Sequence, residues 1–147
     1  MASTQTNAPQ TARQHPAAEL FGEPIYAYSR RQAIEDGVLV DLMQDELAPL
    51  VREAGIRFPI AMTVAAFETA VAPIGRDLPA GQDLNGRLWD VLWILRCAIQ
   101  RGNASDRVHF QVRVWNGRRH QLVKLWSLVG PGDNADPVIT IMLEGED

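Results

Sequence analysis

Val108-His109-Phe110-Gln111-Val112-Arg113-Val114-Trp115, followed by Asn116-Gly117, is the stretch whose reading decides the fold. Val108, Phe110, Val112 and Val114 alternate with His109, Gln111, Arg113 and Trp115, the pattern of a strand half buried in an antiparallel sheet. Asn-Gly between two such runs is the strongest short hairpin signal, because both residues tolerate the positive φ of a tight turn. His120 to Val129 then returns beside the first strand. Gly130-Pro131-Gly132-Asp133-Asn134 turns the chain again, and Val138 to Leu143 supplies a third strand. A two-residue turn pairs Phe110 with Val123 and Val108 with Leu125, and sets Arg113 opposite His120. A three-residue turn slips the register by one and exchanges the two faces. The two-residue turn is expected, since it keeps valine and phenylalanine on one face and leaves Trp115 and Trp126 on the other.

Such a meander needs a cover. Between Arg87 and Arg101, Leu88, Trp89, Val91, Leu92, Trp93, Ile94, Leu95, Cys97, Ala98 and Ile99 leave a narrow polar stripe of Asp90, Arg96, Gln100 and Arg101. A helix this apolar is buried against several elements. Asp83 or Asn85 caps it and Gly102 stops it. Leu92 and Leu95 are expected to be inaccessible. Trp89 and Trp93 stand one turn apart with Arg96 a turn further on, a stacking geometry expected to pack into the core.

The first half is read from its punctuation. Ile25 to Ser29 is a short strand after Pro24, and Ser29 caps a two-turn helix over Arg30–Asp36 that closes at Gly37. Val38 to Leu42 is extended, and this strand–helix–strand unit is too short for a parallel crossover. Glu46 to Ala54 is a helix, with Pro49 fitting best in its first turn, which favours a start nearer Ala48, and Gly55 as its stop. Phe58 precedes Pro59 and must be extended. Thr63 caps a helix over Val64–Val71. Pro73 to Gly86 is a long surface loop and a candidate functional element. The expected architecture is one α+β domain over 21–147, preceded by a disordered tail over 1–20. Its C-terminal antiparallel β-meander packs on a buried central helix, with the N-terminal strand–short helix–strand unit and two further helices.

The chain has 147 residues, 46% hydrophobic and 22% charged, which excludes wholesale disorder and fibrous repeats and fits one domain. Its longest apolar run, Val91 to Leu95, is far too short to span a membrane. Met1 to Ala18 lacks the apolar core of a secretory signal. Cys97 is the single cysteine, so no internal disulfide framework exists and a reducing cytoplasm is the expected setting.

A net charge of −4 argues mildly against a dedicated nucleic-acid binder. The charge is sorted along the chain, however. Residues 35–53 hold six acids, including Asp41, Asp45 and Glu46, against Arg52 alone. Residues 101–124 hold six cations, among them Arg113, Arg118 and Arg119, against Asp106 alone. The last fifteen residues hold five acids and no base. Either the basic hairpin lies beside the acidic segments within the molecule, or it faces an anionic partner.

No catalytic signature is present: no phosphate-binding glycine loop, no nucleophile elbow and no helical histidine pair. His109 and His120 share a sheet face but are not cross-strand neighbours and lack a third ligand, so they read as solvated strand residues. No catalytic residue, cofactor or metal is assigned. Trp115 beside Arg113, Arg118 and Arg119 at a hairpin tip has the composition of an interface anchor or a base-stacking platform. The alternative is a tryptophan folded back on the sheet beneath its arginines. Tyr26-Ala27-Tyr28-Ser29-Arg30 and Glu144-Gly145-Glu146 together hint at the early strand and late Glu-x-Glu of ADP-ribosyltransferases, without the serine motif between them.

Several blocks carry a wider resemblance: Phe21-Gly22-Glu23-Pro24-Ile25-Tyr26, Ala33-Ile34-Glu35-Asp36-Gly37-Val38-Leu39-Val40-Asp41, Ala54-Gly55-Ile56-Arg57-Phe58-Pro59, Gly86-Arg87-Leu88-Trp89-Asp90-Val91-Leu92-Trp93 and Pro137-Val138-Ile139-Thr140-Ile141-Met142-Leu143. From Phe21 to Asp147 the chain resembles an uncharacterised family of small bacterial proteins carried on plasmids, integrative elements and phages. The resemblance implies no activity or cofactor. It implies a setting in which such proteins act on host or defence macromolecules. The expectation is therefore a non-enzymatic interaction protein that binds, and inhibits, a host or defence protein or nucleoprotein such as CRISPR or restriction machinery. Trp115, Arg113, Arg118, Arg119, Asp41, Asp45 and Glu46 are its candidate partner-binding residues, the acids by imitating a nucleic-acid backbone. A small ADP-ribosyltransferase and a nucleic-acid binder using the basic hairpin are the alternatives, and a homodimer is compatible with either charge pattern.

Overall fold

The computed structural model describes residues 29–73, 75–102 and 105–146, so the expected strand from Ile25 and the tail over 1–20 lie outside the described residues. The elements in chain order are α1 (Arg30–Glu35), β1 (Leu39–Asp41), α2 (Ala48–Glu53), β2 (Ile60–Thr63), α3 (Val64–Ala70), α4 (Leu84–Arg101), β3 (Arg107–Trp115), β4 (His120–Pro131) and β5 (Pro137–Leu143). The protein is α+β, with a five-stranded sheet in the order β1-β2-β5-β4-β3. Every pairing is antiparallel except β2 with β5.

Local chemistry sets the helix ends. Ser29 Oγ accepts from the Gln32 amide at 3.0 Å, while the Gln32 side chain accepts from the Ser29 amide at 3.0 Å, a reciprocal capping box. Gly37 follows with φ +78, the left-handed conformation that closes the helix without Cβ strain. Thr63 caps α3 and Asp83 caps α4, the latter through a 2.6 Å bond from the Gly86 amide. Helix α4 therefore starts at Leu84, three residues before Arg87. Helix α2 starts at Ala48, the start that placing Pro49 in the first turn favours, because Pro49 donates no amide.

Ile60–Thr63 is a strand that the extended reading of Phe58 only approached. It lies between β1 and β5, and the Ile139 amide donates to the Pro59 carbonyl at 2.8 Å to open its parallel ladder. Ile60, Ala61 and Met62 are buried on both faces, which is why this strand shows no polar alternation.

The hairpin register differs from the expected one by two residues. Phe110 faces Leu125 rather than Val123, Val108 faces Ser127 rather than Leu125, and Arg113 faces Leu122 rather than His120. The strands are joined by Asn116–Arg119, closed by the Asn116 amide on the Arg119 carbonyl at 3.1 Å. Asn116 Oδ1 also accepts from the Arg118 and Arg119 amides, at 2.9 and 3.0 Å. That side-chain cap holds a wider loop than a bare two-residue turn, and Gly117 at φ +98 makes its bend. A slip of two preserves facing, so Phe110, Val112, Val114, Val123 and Leu125 still point to the core.

Helix α4 lies over β3 on that apolar face, flanked by α2 and α3. Leu88, Val91, Leu92 and Leu95 are fully buried beneath it, within one core cluster that also takes in Ile139 and Ile141 of β5. Small helix α1 sits on the opposite face. Asp133 of the β4–β5 turn accepts from the Arg30 and Arg31 amides at 2.8 and 3.0 Å, an anion on the free donors of the helix start. The Arg30 guanidinium then donates to Thr140 Oγ1 and the Ile139 carbonyl, both at 2.8 Å. Burial lowers the Arg30 pKa, and the charges of Asp41 and Asp133 oppose that shift.

Candidate interaction surface

Strict alternation along β3 and β4 sorts their side chains. The core takes the apolar set. Arg107, His109, Gln111, Arg113 and Trp115 of β3, with His120, Leu122, Lys124, Trp126 and Leu128 of β4, share the other face. No carboxylate stands among these ten, and Arg118 and Arg119 continue the positive charge around the turn. Leu122, 53% exposed, is an apolar spot directly across from Arg113.

The tryptophans of this face are already engaged. Trp126 is 6% exposed, with the Arg107 guanidinium 5.0 Å from its ring centroid and His109 stacked at 6.0 Å. Its indole Nε1 donates to the Leu143 carbonyl at 3.2 Å. Trp115 is half-buried and meets His120 edge to face at 5.1 Å. Both rings lie back on the sheet, which leaves the cations as the outward chemistry. His109 and His120 do share the face, but six residues of strand separate Trp115, across from His120, from His109, roughly 20 Å. Among the described residues no group of three or more His, Cys, Asp or Glu could hold a metal ion.

The seven partner-binding candidates fall in two places. Trp115, Arg113, Arg118 and Arg119 come together on and around the hairpin. Asp41, Asp45 and Glu46 lie at and beyond β1, the opposite edge of the sheet. Four interstrand steps of about 4.8 Å put those edges roughly 19 Å apart, beyond the screening length of about 8 Å at physiological salt. The basic hairpin is thus not neutralised by residues 35–53; of the C-terminal acids, Glu144 stands beside it, its amide donating to the Lys124 carbonyl at 3.0 Å. Asp41 is half-buried and accepts from the Met43 amide at 2.9 Å, a local turn, while Asp45 and Glu46 are exposed. Glu146 Oε2 accepts from Thr63 Oγ1 and the Leu143 amide, both at 2.7 Å, so this carboxylate fastens the C-terminal turn to β2. Arg30 is likewise bound to β5.

Two features escaped the sequence. Trp93 points away from the core, 41% exposed, stacked on Trp89 at 5.7 Å with Arg96 5.4 Å from its ring. The pair was expected in the core. Trp89 does pack against the core, partly buried, whereas Trp93 falls diametrically opposite Leu88, Val91 and Leu95 on the helix, so the expectation fails for Trp93 alone. The second is Arg87, 8% exposed, whose Nε and Nη1 have no hydrogen-bond partner. It lies on the buried side of α4, four residues before Val91.

Arg87 sits in a cavity of about 20 Å³ with Gln82, Asp90, Val112, Arg113 and Val114 among its lining. Alongside it a groove of about 350 Å³ runs between Ile94, Ala98 and Arg101 of α4 and His109, Phe110 and Gln111 of β3, reaching Lys124, Leu125 and Glu144. Burial lowers the Arg87 pKa and raises that of Asp90. The folded chain therefore holds the Asp90 proton more tightly than the unfolded chain does. Stability contributed by Asp90 is highest in acid and falls as pH rises through the ordinary carboxylate value towards the raised folded one. Asp90→Asn is expected to melt slightly above wild type at about pH 7, by at most about 0.5 kcal/mol for so exposed a group, and level with it at about pH 3. Thermal melts at the two pH values test this, and a neutral-pH loss would contradict it.

Residues 18–147 match the model of a family described as Family of unknown function (DUF6573). No curated protein and no solved structure matches the chain. No helix among the described residues is long and apolar enough to cross a membrane.

Proposed function

The chain belongs to DUF6573, a family of unknown function, and on that footing we propose that it is an interaction protein that binds an anionic macromolecular partner through its β3–β4 hairpin. One observation carries the reading: ten alternating positions on one sheet face, plus the turn, hold only cations, aromatics and neutral residues, at the edge farthest from the acids of β1. Cations spread over a rigid sheet attract an anionic surface at long range and fix its orientation on contact. The engaged tryptophans favour a protein or nucleoprotein over bare single-stranded nucleic acid, which needs open rings for stacking.

The resemblance to proteins of plasmids, integrative elements and phages supports the finer reading. The chain is encoded on such an element, works in the host cytoplasm, and inhibits a defence assembly such as CRISPR or restriction machinery. The test is affinity purification from cells carrying those systems, with wild type beside Arg113→Ala/Arg118→Ala/Arg119→Ala, three exposed cations. The triple variant is expected to bind the captured partner at least about tenfold more weakly, 1.4 kcal/mol, while melting near wild type. Normal melting with full-strength binding would remove the hairpin from the interface.

A further inference from the structure

We infer that the outer edge of β3, with the seam it forms against α4, takes an extended acidic segment of a protein partner as a sixth strand of the sheet. The inference rests on the anionic-partner reading above and names how that partner docks.

Backbone phase is the first support. The Asn116 amide bonds the Arg119 carbonyl and the Val129 amide bonds the Asp106 carbonyl, so even-numbered residues of β3 turn their N–H and C=O towards β4. The odd-numbered residues turn theirs outward. No backbone hydrogen bond among the described residues uses those of His109, Gln111 or Arg113. At nine residues β3 is a long edge, whereas the other edge, β1, has three. Natural sheets rarely leave so long an edge unpaired.

The seam is the second support. The two cavities follow one another along the strand, Arg101, Ala98 and Ile94 of α4 facing residues 109–111, then Arg87 facing residues 112–114. A strand added to β3 would drop alternate side chains between strand and helix, the arrangement that lets edge pairing read sequence. Buried Arg87 lines that seam, and two of its donors have no acceptor. Buried guanidinium donors call for acceptors, which a carbonyl or carboxylate of the incoming strand supplies.

Charge chooses the occupant. Arg107 and Arg113 flank the edge on the open face and Arg87 and Arg101 on the helix side, with Lys124 beyond them, against Asp90 and Glu144 as the acids of the two cavities. A second copy pairing β3 with β3 would set these cations against one another. An acidic strand sets carboxylates against them, at the spacing of alternate residues.

The probe is a labelled nine-residue peptide of alternating glutamate and valine, the length of β3, added to the full chain and followed by anisotropy and amide exchange. Binding is expected to weaken with salt and to be absent for a lysine–valine peptide. The amides of His109, Gln111 and Arg113 are expected to gain protection. Gln111→Pro removes an outward amide without touching the β4 ladder, and is expected to weaken binding at least about tenfold with melting unchanged. Arg87→Met is expected to weaken it as well. Peptide binding with no protection at those amides, or undiminished by Gln111→Pro, would overturn strand addition while leaving a charged hairpin surface intact. An oligothymidine of similar charge that binds while the peptide does not would overturn it in favour of a nucleic-acid surface. Failure of every anion to bind would overturn both readings.

Discussion

Leu92→Ala is expected to lower the stability of the fold by roughly 2–5 kcal/mol, and Leu95→Ala by a similar amount. Both side chains are fully buried, at 0% exposure, in the cluster joining α4 to the inner sheet face. Truncation removes three carbons, two of them methyls, and leaves a void whose lining loses its dispersion partners. How far the void collapses sets the cost. Helix α4 is held by the Asp83 cap at one end and by Gly102 bonded to the Ala98 carbonyl at the other. Between them it is wedged among β3, α2 and α3, so it has little room to settle. The upper half of the range is therefore expected at Leu92, which lies mid-helix. Domains of this size are stable by about 5–15 kcal/mol, so either change removes a substantial fraction. Urea unfolding of the two variants checks this. Trp93→Ala serves as the outward-facing comparison, and unchanged midpoints for both leucine variants would remove α4 from the centre of the fold.

Where a single element's own chemistry decides, the sequence was sufficient. Ser29, Gly37, Thr63 and Gly102 stand where the caps and stops were expected, and the meander and its helix cover follow from alternation and from the apolar width of residues 87–101. What was lost depended on contacts between distant segments. Ile60–Met62 has no alternation because both its faces are covered, and only β1 and β5 on either side make it a strand. The hairpin slipped by two because the Asn116 side chain cradles the Arg118 and Arg119 amides, a bond that outweighs the generic preference for Asn-Gly as the two central residues. The clamp of Asp133 on α1 spans 103 residues to Arg30 and leaves no local trace. Of the candidate site, the cationic hairpin was legible because alternation fixes which side chains share a face. The placement of Asp41, Asp45 and Glu46 at the far edge was not, since strand order is a property of the whole sheet.

Replacing Arg87 by methionine is expected to raise the stability of the protein, by about 1–3 kcal/mol. Arginine at 8% exposure has given up most of its hydration, and its Nε and Nη1 gain no hydrogen bond in return. The only influence resolved on its pKa is burial, which lowers it, with no carboxylate pulling the other way. Asp90, on the same cavity, is itself penalised by burial, so the two are not acting as a well-made ion pair. Ala70, Val91, Val112 and Val114 around the arginine are apolar and suit a thioether. Methionine keeps the unbranched stem and the helix propensity while removing the charge. Urea unfolding of Arg87→Met, Asp90→Asn and the double variant checks the sign and the coupling. Additive effects are expected, whereas a coupling above about 0.5 kcal/mol would reveal a bridge between them that the direct geometry lacks. A loss of stability in Arg87→Met would mean that the guanidinium holds the fold together. A gain, joined to weaker binding of the acidic peptide, is the signature of a buried cation kept at the expense of the fold for a ligand that reaches it.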